Sequence, residues 1–430
     1  MTKTIGLDFG TSNTVFVEAD GGSATRTVEF GAGAEAVASL ATVLSFLDRG
    51  AARPPHPEVG PWAIRQFLES LGDVRFIQSL KSFVASPTFK GTGIYGNPFD
   101  FEDLMATFLT CALERAVTPV VPEETRLIIG RPVAFAGHAP DEALAMRRYR
   151  EALARVGFKD IRFVLEPVAA AFSFAQCLNE DATILVADLG GGTTDYSLMR
   201  FRLGGNGLTA EPLGRGGVGI AGDSFDYRII DNVILPRIGK GSSYKSMGKV
   251  LEIPPNLFSN FARWHMLSVF KTSDDYREMK KLLRWCLEPE KIELFIDLVD
   301  EDQGYPLYKA VSETKARLSA DSQAELTFAP LGADFRATVT RDDFDLWIAP
   351  ELEKIDRALD AAIDNAGITD RDIDRVFMTG GTSFVPAVRR QFEKRFGAER
   401  ISGGNELTSV ATGLALIGAR EDADHWAVAA

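Results

Sequence analysis

The sequence predicts an α/β protein of two similar lobes, each a mixed, five-stranded-type sheet flanked by helices, with inserted subdomains. Three observations carry this. Lys3 to Glu18 and Ile184 to Met199 share one pattern, an apolar β-forming run, an Asp, a small-residue turn and a second apolar run. Between and after them, short strand-like runs lead into amphipathic helical stretches. At 430 residues the chain is long enough for two or more domains.

The two hairpins form a long-range internal repeat. In the first, Asp8-x-Gly10 leads into Thr11, Ser12 and Asn13; in the second, Asp188-x-Gly190 leads into Gly191, Gly192, Thr193 and Thr194. Three successive glycines remove every Cβ from the second turn, so backbone N–H groups can close on something bulky and negative. A phosphate fits that description, and two such turns imply one ligand shared by two lobes.

Composition narrows the chemistry. Apolar residues make up 45% and charged residues 25%, and the formal net charge of −13 opposes binding to nucleic acid or to an anionic membrane. Cys111, Cys177 and Cys286 are far apart, which suggests neither a disulfide framework nor a zinc site. His56, His138, His265 and His425 are isolated and form no metal-binding pair. The N-terminus enters a strand-like run at once, and no apolar run approaches the roughly 18 residues of a membrane span. A soluble cytoplasmic protein is expected.

Several elements follow in order. Gly31 to Pro61 is loop-rich, with a short apolar piece at Thr42 to Leu47, and Gly72 to Phe83 is half-buried with Lys81 in it. Phe99 to Val117 has helical periodicity, and Arg126 to Gly130 is a buried strand ended by Arg131-Pro132. Asp141 to Val156 is an amphipathic helix capped by Gly157. The strand Ile161 to Leu165 runs into Glu166-Pro167, with proline in a helix first turn, where α/β ligand sites collect. Arg215 to Arg228 reads as a turn opening a helix, its small residues leaving room for a ligand or a partner backbone. Ile229 to about Leu318 reads as an inserted helical subdomain with Trp264 and Trp285 in its core. A hairpin (Ala324 to Phe328 and Phe335 to Val339) and a long helix (Asp342 to Ala366) come next. The strand Arg375 to Met378 then enters Thr379-Gly380-Gly381-Thr382-Ser383, a turn opening the helix Ala387 to Phe396, geometry that suits an anion. A small-residue helix, Val410 to Ala419, closes the pattern.

Taken together, Asp8-x-Gly10-Thr11-Ser12-Asn13, Glu166-Pro167-x-Ala169-Ala170, Asp188-x-Gly190-Gly191-Gly192-Thr193-Thr194-Asp195 and Gly380-Gly381-Thr382-Ser383-x-x-Pro386 resemble the actin-like ATPase superfamily. Most specifically they resemble the nucleotide-binding domain of the heat shock protein 70 (DnaK-type) family, in its short YegD-like branch without a substrate-binding domain. The resemblance implies an actin-like ATPase fold: lobe I at 1–182 (core 1–38 and 118–182, insertion about 39–117), and lobe II at 183–430 (core 183–228 and about 311–407, helical insertion about 229–310, closing helix 409–420).

The resemblance also implies site residues. Lys81, Glu166, Asp188, Thr193 and Asp195 form the catalytic set, Lys81 matching the lysine near the γ-phosphate. Asp8 and Asp188 face a hydrated Mg²⁺. Gly10, Thr11, Ser12, Asn13, Gly190, Gly191, Gly192 and Thr194 belong to the ATP/ADP-binding turns, while Gly222, Lys315, Ser319, Gly380, Gly381 and Phe384 line the adenosine pocket. Phosphoryl transfer needs chiefly positioning and charge neutralisation, which suits a chain nearly free of histidine. Two positions depart from the family pattern: Phe384 replaces an adenine-stacking arginine, and Ser312 falls where a glutamate is usual. Pro132 matches a proline that relays nucleotide state.

The expectation is a slow, magnesium-dependent ATPase acting as a conformational switch, its lobe angle read by an unknown protein partner. The alternatives are a small-molecule kinase of the same superfamily, an ATP-dependent filament protein and a binding-only module.

Overall fold

The structure, a computed structural model, describes residues 3–20, 24–50, 53–70, 73–133, 135, 139–175, 178, 180–204, 207–259, 261, 270–271, 273–402 and 408–428. Cys177, His138, His265 and Trp264 lie outside the described residues. The chain forms two compact units: one comprises 1–221, 354–383 and 388–430, the other 222–353 and 384–387.

The first unit opens with β1 (Lys3–Phe9), β2 (Asn13–Ala19), β3 (Thr25–Thr27) and the short β4 (Leu40–Ala41). A small sheet follows, made of β5 (Val43–Leu47), β6 (His56–Val59) and β7 (Val74–Gln78), with α1 (Gly60–Glu69) between β6 and β7. The hairpin β8 (Thr92–Ile94) and β9 (Asn97–Phe99) leads to α2 (Phe101–Glu114). Then come β10 (Thr125–Arg131), α3 (Glu142–Val156), β11 (Asp160–Leu165), α4 (Glu166–Ala175), β12 (Ala182–Leu189), β13 (Thr194–Gly204) and β14 (Gly207–Val218). Helix α3 is bounded by its own chemistry. The Asp141 carboxylate accepts from the Leu144 N–H, and Gly157 takes the left-handed conformation, φ 109°, that a glycine C-cap allows.

The second unit starts with α5 (Gly222–Ile229) and a hairpin of β15 (Ser243–Ser246) and β16 (Lys249–Glu252). Helices α6 (Asn256–Ser259), α7 (Asp274–Leu282), α8 (Pro289–Asp300) and α9 (Gly304–Ala320) precede the hairpin β17 (Gln323–Thr327) and β18 (Arg336–Thr340). The stretch read as mostly helical also contains a hairpin, whose turn at Met247, φ 47°, and Gly248, φ 77°, carries almost no periodic signal. Phe258, Phe261, Phe270, Tyr276 and Phe295 pack edge-on or tilted into the core of this unit. That cluster is complete without Trp285, which is 63% exposed, contrary to its expected place in the core.

The long helix α10 (Arg341–Ala366) begins in the second unit and ends in the first, which then adds β19 (Arg375–Thr379), α11 (Pro386–Phe396), β20 (Ile401–Ser402), α12 (Ser409–Gly418) and α13 (Ala423–Trp426).

The internal repeat is realised as two sheets of matching topology in the first unit. In one the order is β11-β10-β1-β2-β3, with β4 also paired to β2; in the other it is β14-β13-β12-β19-β20. Each has a central strand (β1 or β12) antiparallel to the strand that follows it and parallel to the strand on its other side. Helices α4 and α12 pack on each other between the sheets, and each crosses over. Helix α4, which leaves the first sheet, packs on β12 and β13, whereas α12, which follows the second, packs on β1, β2 and β10. The outer face of the first sheet is covered by α2 and α3 around Phe108 and Tyr149. The outer face of the second meets α10, where a Cβ on Gly216 would lie 2.9 Å from the Ala362 Cβ. Arg215 to Val218 is therefore strand, not turn, and Gly216 serves helix packing rather than a ligand.

Candidate functional site

The two hairpin turns of the repeat fold alike. The Gly10 N–H donates to the Asn13 carbonyl at 2.9 Å, and the Gly190 N–H donates to the Thr193 carbonyl at 3.0 Å. They face each other, since a Cβ on Gly192 would stand 3.6 Å from the Thr11 side chain. The first turn is fixed to its surroundings by the Thr42 N–H, which donates to the Ser12 carbonyl at 2.8 Å. A third turn, after β19, is bound to the second: the Thr382 hydroxyl donates to the Gly190 carbonyl at 2.6 Å. Gly380 holds φ 82° there, and a Cβ on it would overlap the Leu189 carbonyl, so only glycine fits.

These turns enclose a cleft within the first unit. Of the predicted residues, Asp8, Gly10, Thr11, Ser12, Asn13, Lys81, Glu166, Asp188, Gly190, Gly191, Gly192, Thr193, Gly380 and Gly381 line it. Thr379, read as the start of the anion-suited turn, lines it as well, as do Val15 and Val410, which were not anticipated from the sequence. Val15 and Val410 read as ordinary core residues there.

Other predicted residues stand elsewhere. Thr194 is fully buried and its hydroxyl donates to the Ile220 carbonyl at 2.8 Å, so it braces β13 instead of lining the cleft. Asp195, also buried, lies on β13 beside Gly217, where a Cβ would come within 2.8 Å of its Oδ1. Gly222, Lys315, Ser319 and Phe384 belong to the second unit. Lys315 is engaged there, its ammonium donating to the Asp226 carboxylate at 2.7 Å and to the Gly222 carbonyl at 3.0 Å. Phe384 is 51% exposed.

Sequence similarity bears on this geometry. The family described as Hsp70 protein matches residues 145–240 and 276–423, more than half of the chain. The chain is a member of the Hsp70 family. The chaperone protein dnaK of Cyanophora paradoxa is similar to it, 23% identical over 414 residues, which cover 92% of this chain and 56% of that protein. The chain thus spans little more than half the length of the curated relative it matches. Membership implies the actin-like ATPase fold, in agreement with the two repeated sheets of this Hsp70-family chain.

Charge in the Hsp70-family cleft is unbalanced. Lys81, from the one-turn helix Leu80–Phe83, donates to Glu166 Oε1 at 2.6 Å, with Glu166 buried and Lys81 partly so. Asp8 and Asp188, the last-but-one residues of the two central strands, bring further carboxyls. Burial, with Glu166 next in effect, pushes Asp8 up to about 8; burial, Glu166 and Asp195 push Asp188 up to about 7. Lys81 is held above its ordinary value: burial works against its charge, but Glu166, Tyr149 and Asp8 together outweigh it. Several buried carboxyls thus share one ammonium. A divalent cation fits such a donor set. Among the described residues no three His, Cys, Asp or Glu side chains converge to cage an ion.

Proposed function

We propose that the cleft binds ATP with magnesium, hydrolyses it slowly, and uses the alternation of nucleotide states as a chaperone-type conformational switch. The observation that carries this reading is the convergence of two equivalent turns, one from each repeated sheet, on a single cleft that also holds Lys81, Glu166, Asp8 and Asp188. Backbone N–H groups of both turns, with the Thr11, Ser12 and Thr193 hydroxyls, receive phosphate oxygens. Lys81 sets a positive charge beside them, and its bond to Glu166 keeps that charge in place. Glu166, buried at the start of α4, orients the attacking water and takes up its proton. Asp8 and Asp188 would hold hydrated magnesium, which when bound neutralises phosphate charge.

Nucleotide state would then set how closely the two sheets approach across α4 and α12, and a protein partner would read that closure. Among the described residues no helix is long and apolar enough to cross a membrane.

Calorimetric titration with ATP, ADP and GTP in magnesium, followed by phosphate release, tests the reading. ATP and ADP should bind, and Asp188→Asn should lower release on the order of 10²-fold. Binding weaker than about 1 mM for both nucleotides, with Asp188→Asn behaving as the wild type, refutes it.

A further inference from the structure

Lys81 stands on an irregular stretch, and one side chain outside the cleft holds that stretch in shape. From Ser79 to Phe89 the backbone is a run of tight turns: Ser82 N–H to Ser79 carbonyl, Val84 to Lys81, Ser86 to Phe83 and Phe89 to Ser86. Ser79 starts it at φ 51°, unusual for a serine. Arg148, on α3, lies beneath and is 5% exposed. Its guanidinium donates to four carbonyls of this stretch: Phe83 at 2.8 Å, Val84 at 3.0 Å, Ser86 at 3.1 Å and Phe89 at 2.6 Å. The Phe89 and Phe101 rings lie 6.0 and 5.7 Å from it. A buried cation aimed wholly at main-chain carbonyls is costly to desolvate and forms no ion pair among the described residues, so its effect is geometric: a planar fork fixes the path of seven residues.

We propose that Arg148 is the positioning residue for Lys81, clamping the 83–89 turns so that the ammonium stays at the cleft against Glu166. This rests on the ATPase reading for its catalytic consequence, but the positioning itself can be tested without ATP. A lysine at 148 offers donors at a single point and cannot span carbonyls spread over residues 83 to 89. A displacement of about 1 Å in a catalytic group lowers a rate by roughly a hundredfold.

The test uses the full chain with Arg148→Lys, Arg148→Ala and, as a control on the same helix, Arg147→Lys, since Arg147 is exposed and pairs with Glu151 and Glu102. Two quantities are read. One is the acylation rate of Lys81 by an amine-reactive ester, followed by mass spectrometry; the other is single-turnover ATP hydrolysis at saturating MgATP. Both Arg148 variants should label Lys81 about tenfold faster through local opening, and hydrolysis should fall about a hundredfold with nucleotide affinity kept within threefold. In a Lys81→Ala background, Arg148→Lys should cost nothing further, and guanidinium ion should restore part of the rate to Arg148→Ala. Arg147→Lys should change neither quantity.

Unchanged Lys81 labelling overturns the proposal, as does an undiminished rate, or a rate loss that adds fully to that of Lys81→Ala. If Arg148→Ala does not fold, Arg148→Lys decides on the same readings. A wild-type chain that binds no nucleotide refutes the ATPase reading, and the labelling rates then decide the positioning alone.

Discussion

Two pairs of a partly buried lysine with a buried carboxylate, one in each unit, look alike and differ in their surroundings. Lys81 meets Glu166 at 2.6 Å and Lys315 meets Asp226 at 2.7 Å. Around the first pair stand Asp8 and Asp188, and the group opens on a cleft walled by backbone turns. Around the second, the lysine's further donor is satisfied by the Gly222 carbonyl, and Tyr308 bonds the carboxylate. In the second, one carboxylate is bonded to the lysine and one of its oxygens, Asp226 Oδ1, stays unpartnered among the described residues, whereas in the first several carboxyls share one lysine. An ion pair alone therefore does not mark a site; surplus charge facing open space does.

The comparison yields four expectations, in decreasing order of size. Lys81→Met and Lys315→Met should each destabilise the protein by about 3–5 kcal/mol in urea titrations, since each leaves a buried carboxylate unpaired. Only Lys81→Met should also slow turnover by the surviving folded molecules; equal slowing by both would erase the distinction. Asp188→Asn should lower hydrolysis on the order of 10²-fold, yet raise the melting temperature of the nucleotide-free protein at pH 8, because it removes one of several mutually repelling carboxylates. A lower melting temperature would mean the cleft is not strained by charge.

Gly10→Ala should cost about 2 kcal/mol or more and Gly190→Ala under about 1 kcal/mol. A Cβ at Gly10 would overlap the Asn13 carbonyl, while at Gly190 it would sit 3.4 Å from the Thr193 carbonyl, an ordinary contact. The smallest effect concerns pH. Burial lifts Asp226 from its ordinary 3.8 to about 6, with Lys315 opposing. The folded chain thus holds this proton more tightly than the unfolded chain, and the stabilisation present below the ordinary value is lost as pH rises through 6. Asp226→Asn removes that titration. The melting-temperature difference between variant and wild type should drift between pH 4 and 6.5 and be flat above 7; a flat difference throughout would show that Asp226 titrates normally.

Much of the fold was legible in the sequence because repeated patterns have a single physical reading. The Asp8 and Asp188 hairpins appear as matched central strands, and the α3 caps at Asp141 and Gly157 fall where capping chemistry places them. The β15–β16 hairpin was not legible, because its strands are only four residues each and largely polar or exposed. Trp285 misled for a different reason: residue type reports average burial, not whether a neighbouring phenylalanine cluster has already filled the core. Within the cleft, Val15 and Val410 were invisible because apolar residues on a strand and a helix signal packing wherever they occur. Arg148 was hidden by its neighbours, since Arg147-Arg148 in an amphipathic helix reads as a solvated face until the fold shows that one of the two points inward.

The crossing of α4 and α12 has a mechanical meaning. Gly413 lies so close to α4 that any side chain there would run into the Ala169 carbonyl, and Ala169 and Ala170 present only methyl groups around it. At that point the helices touch through backbone, and the larger side chains of both, Val168 and Phe172 against Val410, Leu414 and Ile417, pack around it in one cluster. Each helix is seated on the opposite sheet, so under the switch proposed above the contact would act as a bearing, at which a roll about Gly413 would change the opening of the turns that line the cleft.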